Sequence, residues 1–261
     1  MSQQLDRVGL ERDGIWLSAL RGAGDGVPVV LLHGLAGSAA EMAPLATGLA
    51  ADGHRVVALD QRGHGHSTRR PADLSREAFV ADVVAFLDVP AWLVGQSMGA
   101  HTAMLVAAAR PDLVRGLVMI EGGVGGATDD YPSRLGARFA GWPVPFADEA
   151  AAREFLGDTP IARAWTADLE VRDDGLWPRF DADIMEAAIR GVAATARWAQ
   201  WQQITAQTVL LQGEHGNQDP DEVRRMRAKP GVRHVVVAGA GHDVHLDCPD
   251  ETLRLIRSLL T

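Results

Sequence analysis

Six short apolar runs alternate along this chain with segments of helical periodicity, and no other feature restricts the possible folds as strongly. The runs cover residues 27–32, 55–59, 91–94, 113–120, 208–211 and 232–237 and are rich in β-branched side chains. Unbroken apolar character suits strands that are covered on both faces. Between them, residues 39–51, 75–87, 98–109, 219–228 and 250–260 carry helical spacing, and Pro111 marks a stop for the third of these. Strands that alternate with helices are joined as parallel units by crossovers. The chain is therefore expected to be α/β, with a mostly parallel open sheet and helices on both faces. Residues 5–20 differ, alternating loosely around Asp13-Gly14. That pair favours a tight hairpin, so two antiparallel strands are expected at the start.

The rhythm stops between about Val124 and Ile204, where no comparable strand run occurs. Trp142, Trp165, Trp177, Trp198 and Trp201 fall there, five of the seven Trp in the chain. Residues 182–203 are helix-like. The segment reads as a helical cap inserted after the sixth strand, which divides the chain into a core of residues 1–123 and 205–261 and a cap of residues 124–204. Large aromatics bury wherever they can, so these Trp can form the cap's own core or line a pocket beneath it. Periodicity does not separate the two.

A length of 261 residues with 47% hydrophobic content fills a sizeable core. The net charge of −9 argues against a nucleic-acid surface, and a small-molecule partner is expected instead. Cys248 is the lone cysteine, which excludes an intramolecular disulfide and a cysteine zinc cluster and fits a reducing compartment. No apolar stretch reaches the roughly 18 residues that a membrane span needs, and residues 1–14 hold no signal core. A soluble, cytoplasmic protein is expected. No motif implies a metal or an organic cofactor, and oligomeric state is left open.

Chemistry concentrates where strands end, which is where open α/β sheets place their ligands. Gly95-Gln96-Ser97-Met98-Gly99 lies between an apolar run and a helix. Such a corner strains the serine backbone and leaves no room for side chains two positions away on either side. Ser97 is thus a candidate nucleophile at a helix N-terminus, where free N–H groups stabilise negative charge. The N–H of Met98, together with that of Leu35 in His33-Gly34-Leu35-Ala36-Gly37, forms a candidate oxyanion hole. A serine nucleophile needs a base. His242, in Gly239-Ala240-Gly241-His242-Asp243 after the last strand run, is the preferred candidate over His245. For His33, His64 and His66 a structural hydrogen-bonding role is expected, and for His101 a packing role.

With His33-Gly34, Asp60-Gln61-Arg62-Gly63-His64-Gly65-His66-Ser67, Gly95-Gln96-Ser97-Met98-Gly99 and Gly241-His242 in this order, the chain resembles the α/β-hydrolase superfamily over essentially its full length. The resemblance implies a Ser-acid-His triad, an oxyanion hole of backbone N–H groups and a cap that shapes the pocket. One position departs from the pattern. The acid often stands three residues after a glycine that follows the penultimate strand, and here that position is Gly216. Some members, among them certain polyketide thioesterases, lactonases and a group of haloalkane dehalogenases, take the acid from the end of the strand after the nucleophile helix. The matching residue is Glu121, followed by Gly122-Gly123. Glu121 is therefore the expected acid, with Asp219, Glu214 and Asp221 as alternatives, and with a supporting carboxylate as the other role open to Glu121. Asp60 and Arg62 are expected to brace their loop as an ion pair.

These residues imply a serine hydrolase of small to medium apolar esters, thioesters or lactones. Ser97 would form an acyl-enzyme, His242 would carry the proton and water would release the acid. A serine at position 97 argues against epoxide hydrolysis and dehalogenation, which use a carboxylate nucleophile. A carbon–carbon bond hydrolase of meta-cleavage products and a non-hydrolytic ligand receptor are the alternatives.

Overall fold

The computed structural model describes residues 4–260. A hairpin of β1 (Asp6–Arg12) and β2 (Ile15–Gly22) turns at Asp13-Gly14, both of which adopt positive φ. Then follow β3 (Pro28–Leu32), α1 (Ala43–Ala51), β4 (Arg55–Leu59), α2 (Arg76–Ala85), β5 (Ala91–Gln96), α3 (Met98–Ala109) and β6 (Val114–Ile120). The insertion comes next, with α4 (Tyr131–Ala140), α5 (Glu149–Leu156), α6 (Pro160–Ala167), β7 (Glu170–Arg172), β8 (Gly175–Trp177), α7 (Ala182–Ala193) and α8 (Trp198–Gln203). The chain finishes with β9 (Gln207–Gly213), α9 (Pro220–Arg227), β10 (Val232–Val237), α10 (Val244–Asp247) and α11 (Pro249–Arg257).

Eight strands form one sheet in the order β1-β2-β4-β3-β5-β6-β9-β10. β2 joins β1 and β4 antiparallel, and all other pairs are parallel. Because β3, β5 and β6 are central, their side chains alternate between two apolar layers. Val30, Leu93 and Leu117 pack towards α3 with Met104 and Met226. Val29, Leu31, Val94 and Val118 pack towards α1 and α11 with Leu45, Leu49 and Ile256. Continuous apolar runs are the consequence of this two-sided burial.

Three local expectations change. The helix foreseen at residues 39–51 begins at Ala43, because Ala39 N–H is drawn to Asp60 Oδ1 at 2.7 Å and Pro44 occupies the first turn. The stretch 182–203 divides into α7 and α8, since Arg197 N–H turns to the Val124 carbonyl at 2.8 Å instead of continuing a helix. The insertion also holds the β7–β8 hairpin, which was not foreseen. Its strands are three residues each, with Val171 exposed, so no alternating pattern is long enough to read. Gly175, at φ +138°, closes it where a Cβ would stand 2.6 Å from the Phe146 carbonyl.

The insertion has its own aromatic nucleus of Phe139, Trp142, Phe146, Trp165 and Phe180, with ring centroids 5.1 Å apart for Phe139–Phe180 and 5.3 Å for Trp142–Trp165. Trp198 and Trp201 behave differently. They lie on α8 and join the layer beside α3, and Trp201 is fully buried. Trp177 stays at the surface of its hairpin, under Arg172 at 5.0 Å.

Candidate active site

Ser97 sits between β5 and α3 with φ +51° and ψ −115°, a left-handed conformation that a non-glycine residue adopts only under constraint. The constraint is close packing of backbone on backbone. A Cβ on Gly95 would lie 2.4 Å from the Gly99 carbonyl, and one on Gly99 would lie 2.3 Å from the Leu32 carbonyl. Both glycines are thus required for β5, α3 and the end of β3 to meet at this corner. Gly34 is similarly close, its would-be Cβ 2.1 Å from Gln96 Oε1, which brings the His33-Gly34-Leu35 loop against Ser97. Met98 is the first residue of α3, so its N–H has no acceptor within the helix. Neither Met98 N–H nor Leu35 N–H meets a protein acceptor among the described residues.

His242 follows β10 and is held from two sides. Gln96 Nε2 donates to its carbonyl at 3.2 Å and to Asp243 Oδ1 at 3.3 Å, while Gly241 N–H donates to Asp247 Oδ2 at 2.8 Å. Its ring Nδ1 lies 3.2 Å from Glu121 Oε2. That partner makes Nδ1 the donor and leaves Nε2 free to accept a proton. Ser97, Glu121 and His242 line one cavity of about 250 Å³. No direct hydrogen bond joins Ser97 Oγ to His242 among the described residues, and in unliganded sites such bonds are often long until substrate binds.

Glu121 directly follows β6, at φ +46°, and is buried. Its carboxylate accepts backbone N–H groups from Gly213 at 2.9 Å and Asn217 at 3.1 Å in addition to the imidazole. Gly216 explains how it fits. A Cβ at that position would stand 2.0 Å from Glu121 Oε1 and 2.4 Å from its carboxyl carbon. The position that lacks an acid is therefore the space into which the Glu121 carboxylate reaches. The other three carboxylates are engaged elsewhere. Asp219 caps α9 by accepting the N–H of Asp221 at 2.7 Å, Asp221 pairs with Arg224 at 2.7 Å, and Glu214 accepts Gly239 N–H at 2.9 Å.

The remaining histidines have separate surroundings. His245 is buried against Glu41 at 3.0 Å. His33 bridges two loops, with Nδ1 donating to the Gly34 carbonyl at 2.7 Å and Nε2 accepting Gln61 N–H at 3.0 Å. His64 is wholly buried, and burial first, then the neighbouring His33, pushes its pKa down to about 3. Burial likewise drives His101 well below the usual imidazole range, reinforced by the charges of Arg76 and Arg197. His101 lines the same cavity as Ser97. His66 approaches Asp60 at 3.8 Å.

The expected ion pair between Asp60 and Arg62 does not form. Asp60 faces the first hairpin and accepts Arg7 Nη1 at 2.7 Å, whereas Arg62 turns to α2 and binds Asp82 through Nε at 2.6 Å and Nη2 at 2.7 Å. Two loop residues with a single position between them take partners on different elements, so proximity in sequence did not predict the partners. Gln96 is a residue whose role sequence reasoning missed. A polar side chain at the end of an otherwise apolar strand run was its signal.

A sequence profile of the alpha/beta hydrolase family matches residues 29–255. The mouse (Mus musculus) sn-1-specific diacylglycerol lipase ABHD11 is 30% identical over 262 aligned positions, which cover 89% of this chain and 80% of the relative. Esterase YbfF of Escherichia coli is 28% identical, covering 89% and 92% of the two chains. The 2-(acetamidomethylene)succinate hydrolase of Mesorhizobium japonicum is 28% identical, covering 92% and 90%. Among solved structures, E-2-(acetamidomethylene)succinate hydrolase superposes with a TM-score of 0.88 at 25% identity over 98% of each chain.

Proposed function

Because this chain belongs to the α/β-hydrolase family, we propose that it hydrolyses small uncharged carboxylic esters, including thioesters and lactones, through an acyl-enzyme on Ser97. The observation that carries this reading is the bond from Glu121 to His242 in a cavity that also holds Ser97. His242 Nε2 removes the Ser97 proton as Oγ attacks the carbonyl. The negative charge that develops on the carbonyl oxygen is met by the N–H groups of Leu35 and Met98, an interaction stronger in the transition state than in the ground state. His242 then protonates the leaving alcohol, activates water for the second attack and returns the proton to Ser97. Throughout, the buried Glu121 carboxylate holds Nδ1–H and stabilises the imidazolium.

The cavity lining supports the choice of substrate charge. Tyr131, Ile189, Val192 and Ala193 supply an apolar side, and no Arg or Lys is present, whereas Asp219 and Glu222 are. An anionic substrate would meet carboxylates without a compensating cation. This weighs against transferring the succinate-type substrate named for the Mesorhizobium japonicum relative. At about 250 Å³ the cavity lies below the roughly 300–1,000 Å³ of pockets for drug-sized ligands, which suits short acyl groups. Turnover of p-nitrophenyl acetate, butyrate and decanoate, a thioester, a lactone panel and the p-nitrophenyl half-ester of succinate tests the reading. The expected result is Ser97-dependent turnover, fastest for short neutral esters and lost in Ser97→Ala. Absence of Ser97-dependent turnover across the panel would overturn it in favour of a ligand receptor, and preference for the succinate half-ester would overturn the charge argument.

A further inference from the structure

A second cavity, of about 260 Å³, lies between α2, the C-terminal half of α3 and α8. Arg76 and Arg197 both line it. Arg76 is almost completely buried, yet its Nε and Nη1 have no hydrogen-bond partner, and neither does the buried Nε of Arg197. No carboxylate lies within ion-pair distance of either guanidinium among the described residues, and the Arg76 guanidinium lies over the Phe79 ring at 4.4 Å. Glu77 stands at the rim, exposed, and forms no ion pair with them. Burial and the adjacent charge of Arg197 push the Arg76 guanidinium down to about 9, against a smaller opposing pull from the Glu77 carboxylate. Arg62, by contrast, is equally buried and has a bidentate partner in Asp82.

A desolvated guanidinium without a counter-ion is strongly unfavourable. Two of them border one cavity, and their unused donors are buried beneath its lining, so the natural complement of the site is an oxyanion that draws them outward, because the planar fork matches carboxylate and phosphate geometry. Val80, Leu105, Ala108 and Ala109 supply apolar lining. We propose that this cavity binds a small organic anion, with its carboxylate or phosphate head on Arg76 and Arg197 and a short alkyl body against Val80 and Leu105. The site is also wired to the hydrolytic centre. Arg76 Nη2 donates to Thr102 Oγ1, Thr102 donates to Gln61 Oε1 at 3.0 Å, and Gln61 Nε2 donates to the His33 carbonyl at 2.7 Å. His33 is two residues from Leu35.

Thermal unfolding of the full chain with hexanoate, inorganic phosphate or neutral hexanamide, at ionic strength matched with sodium chloride, tests the site. Hexanoate, phosphate or both should raise Tm in a saturable way while hexanamide does not, and the anion that acts identifies the head group. Arg197→Met keeps the apolar stem and removes one charge, so it should weaken anion binding about tenfold or more. Arg76→Met should abolish the anion-dependent shift, since the more buried of the two guanidiniums has been removed. Should that variant fail to fold, Arg197→Met, at a half-buried position, carries the test alone. No shift with either anion, or an equal shift in Arg197→Met, overturns the proposal.

Discussion

Exchanging Glu121 for Gln removes one negative charge beside His242 while conserving the length and shape of the side chain. The carboxylate oxygens receive three donors, His242 Nδ1 at 3.2 Å, Gly213 N–H at 2.9 Å and Asn217 N–H at 3.1 Å. In the proposed mechanism His242 accepts the serine proton, and an imidazolium forms next to this buried carboxylate. Two unit charges about 4 Å apart at an effective dielectric of about 20 attract by about 4 kcal/mol. Loss of that attraction in the transition state corresponds to a fall of about 10³-fold in kcat. Gln also turns one acceptor into an NH₂ that faces a donor, which costs about 1–3 kcal/mol of folding stability. The two effects separate experimentally. Ester turnover by Glu121→Gln should fall about 10³-fold while urea unfolding shows a folded protein weakened by only the smaller amount. Asp219→Asn is the control, because Asn caps helices about as well as Asp, and it should change turnover only a few-fold. Turnover in Glu121→Gln within about tenfold of wild type, or a collapse in Asp219→Asn, would refute the reasoning.

Gly216→Ala should lower kcat by at least about tenfold, because its Cβ would stand 2.0 Å from Glu121 Oε1 and displace the carboxylate from His242; unchanged turnover would show that the carboxylate has room to spare. Stability should fall on acidification below about pH 6.5, since the folded His64 titrates near 3 and the unfolded chain binds that proton first. This contribution is fully present above the unfolded value and is lost as pH falls towards the folded one, by about 1.4 kcal/mol per pH unit. Urea titrations at several pH values should show a shallower slope in His64→Gln, with a remainder in the same direction from His101. Asp82→Asn leaves Arg62 buried without its bidentate partner and should cost about 3–5 kcal/mol by urea unfolding; a loss under about 1 kcal/mol would show that the Asp73 carbonyl, which accepts Arg62 Nη1 at 2.6 Å, and water suffice for Arg62.

The sheet and its helices were legible because their signals are local and repeated. The central strands are apolar almost throughout because both faces are buried, so the runs at residues 27–32, 55–59 and 91–94 could be recognised without reference to one another. The short β7–β8 strands carried no such signal, and the break before α8 came from a distant acceptor, the Val124 carbonyl. Side-chain partners were the least legible. Asp60 and Arg62 are two residues apart, yet their partners are Arg7 and Asp82, because the tertiary fold sets the direction of each side chain on the loop.

The sequence by itself determined where chemistry is possible. Gly95 and Gly99 announce a backbone corner, and Ser97 stands at it with His33-Gly34 and Gly241-His242 at other strand ends. Those are short-range constraints, imposed by the few conformations and contacts that each peptide allows. Only the tertiary structure decided which carboxylate reaches His242, since Glu121 lies 121 residues away and Asp219, much nearer in sequence, is turned to cap a helix. Gly216 joins the two levels. In the sequence it is a missing acid, and in the folded chain it is the empty volume through which the Glu121 carboxylate passes.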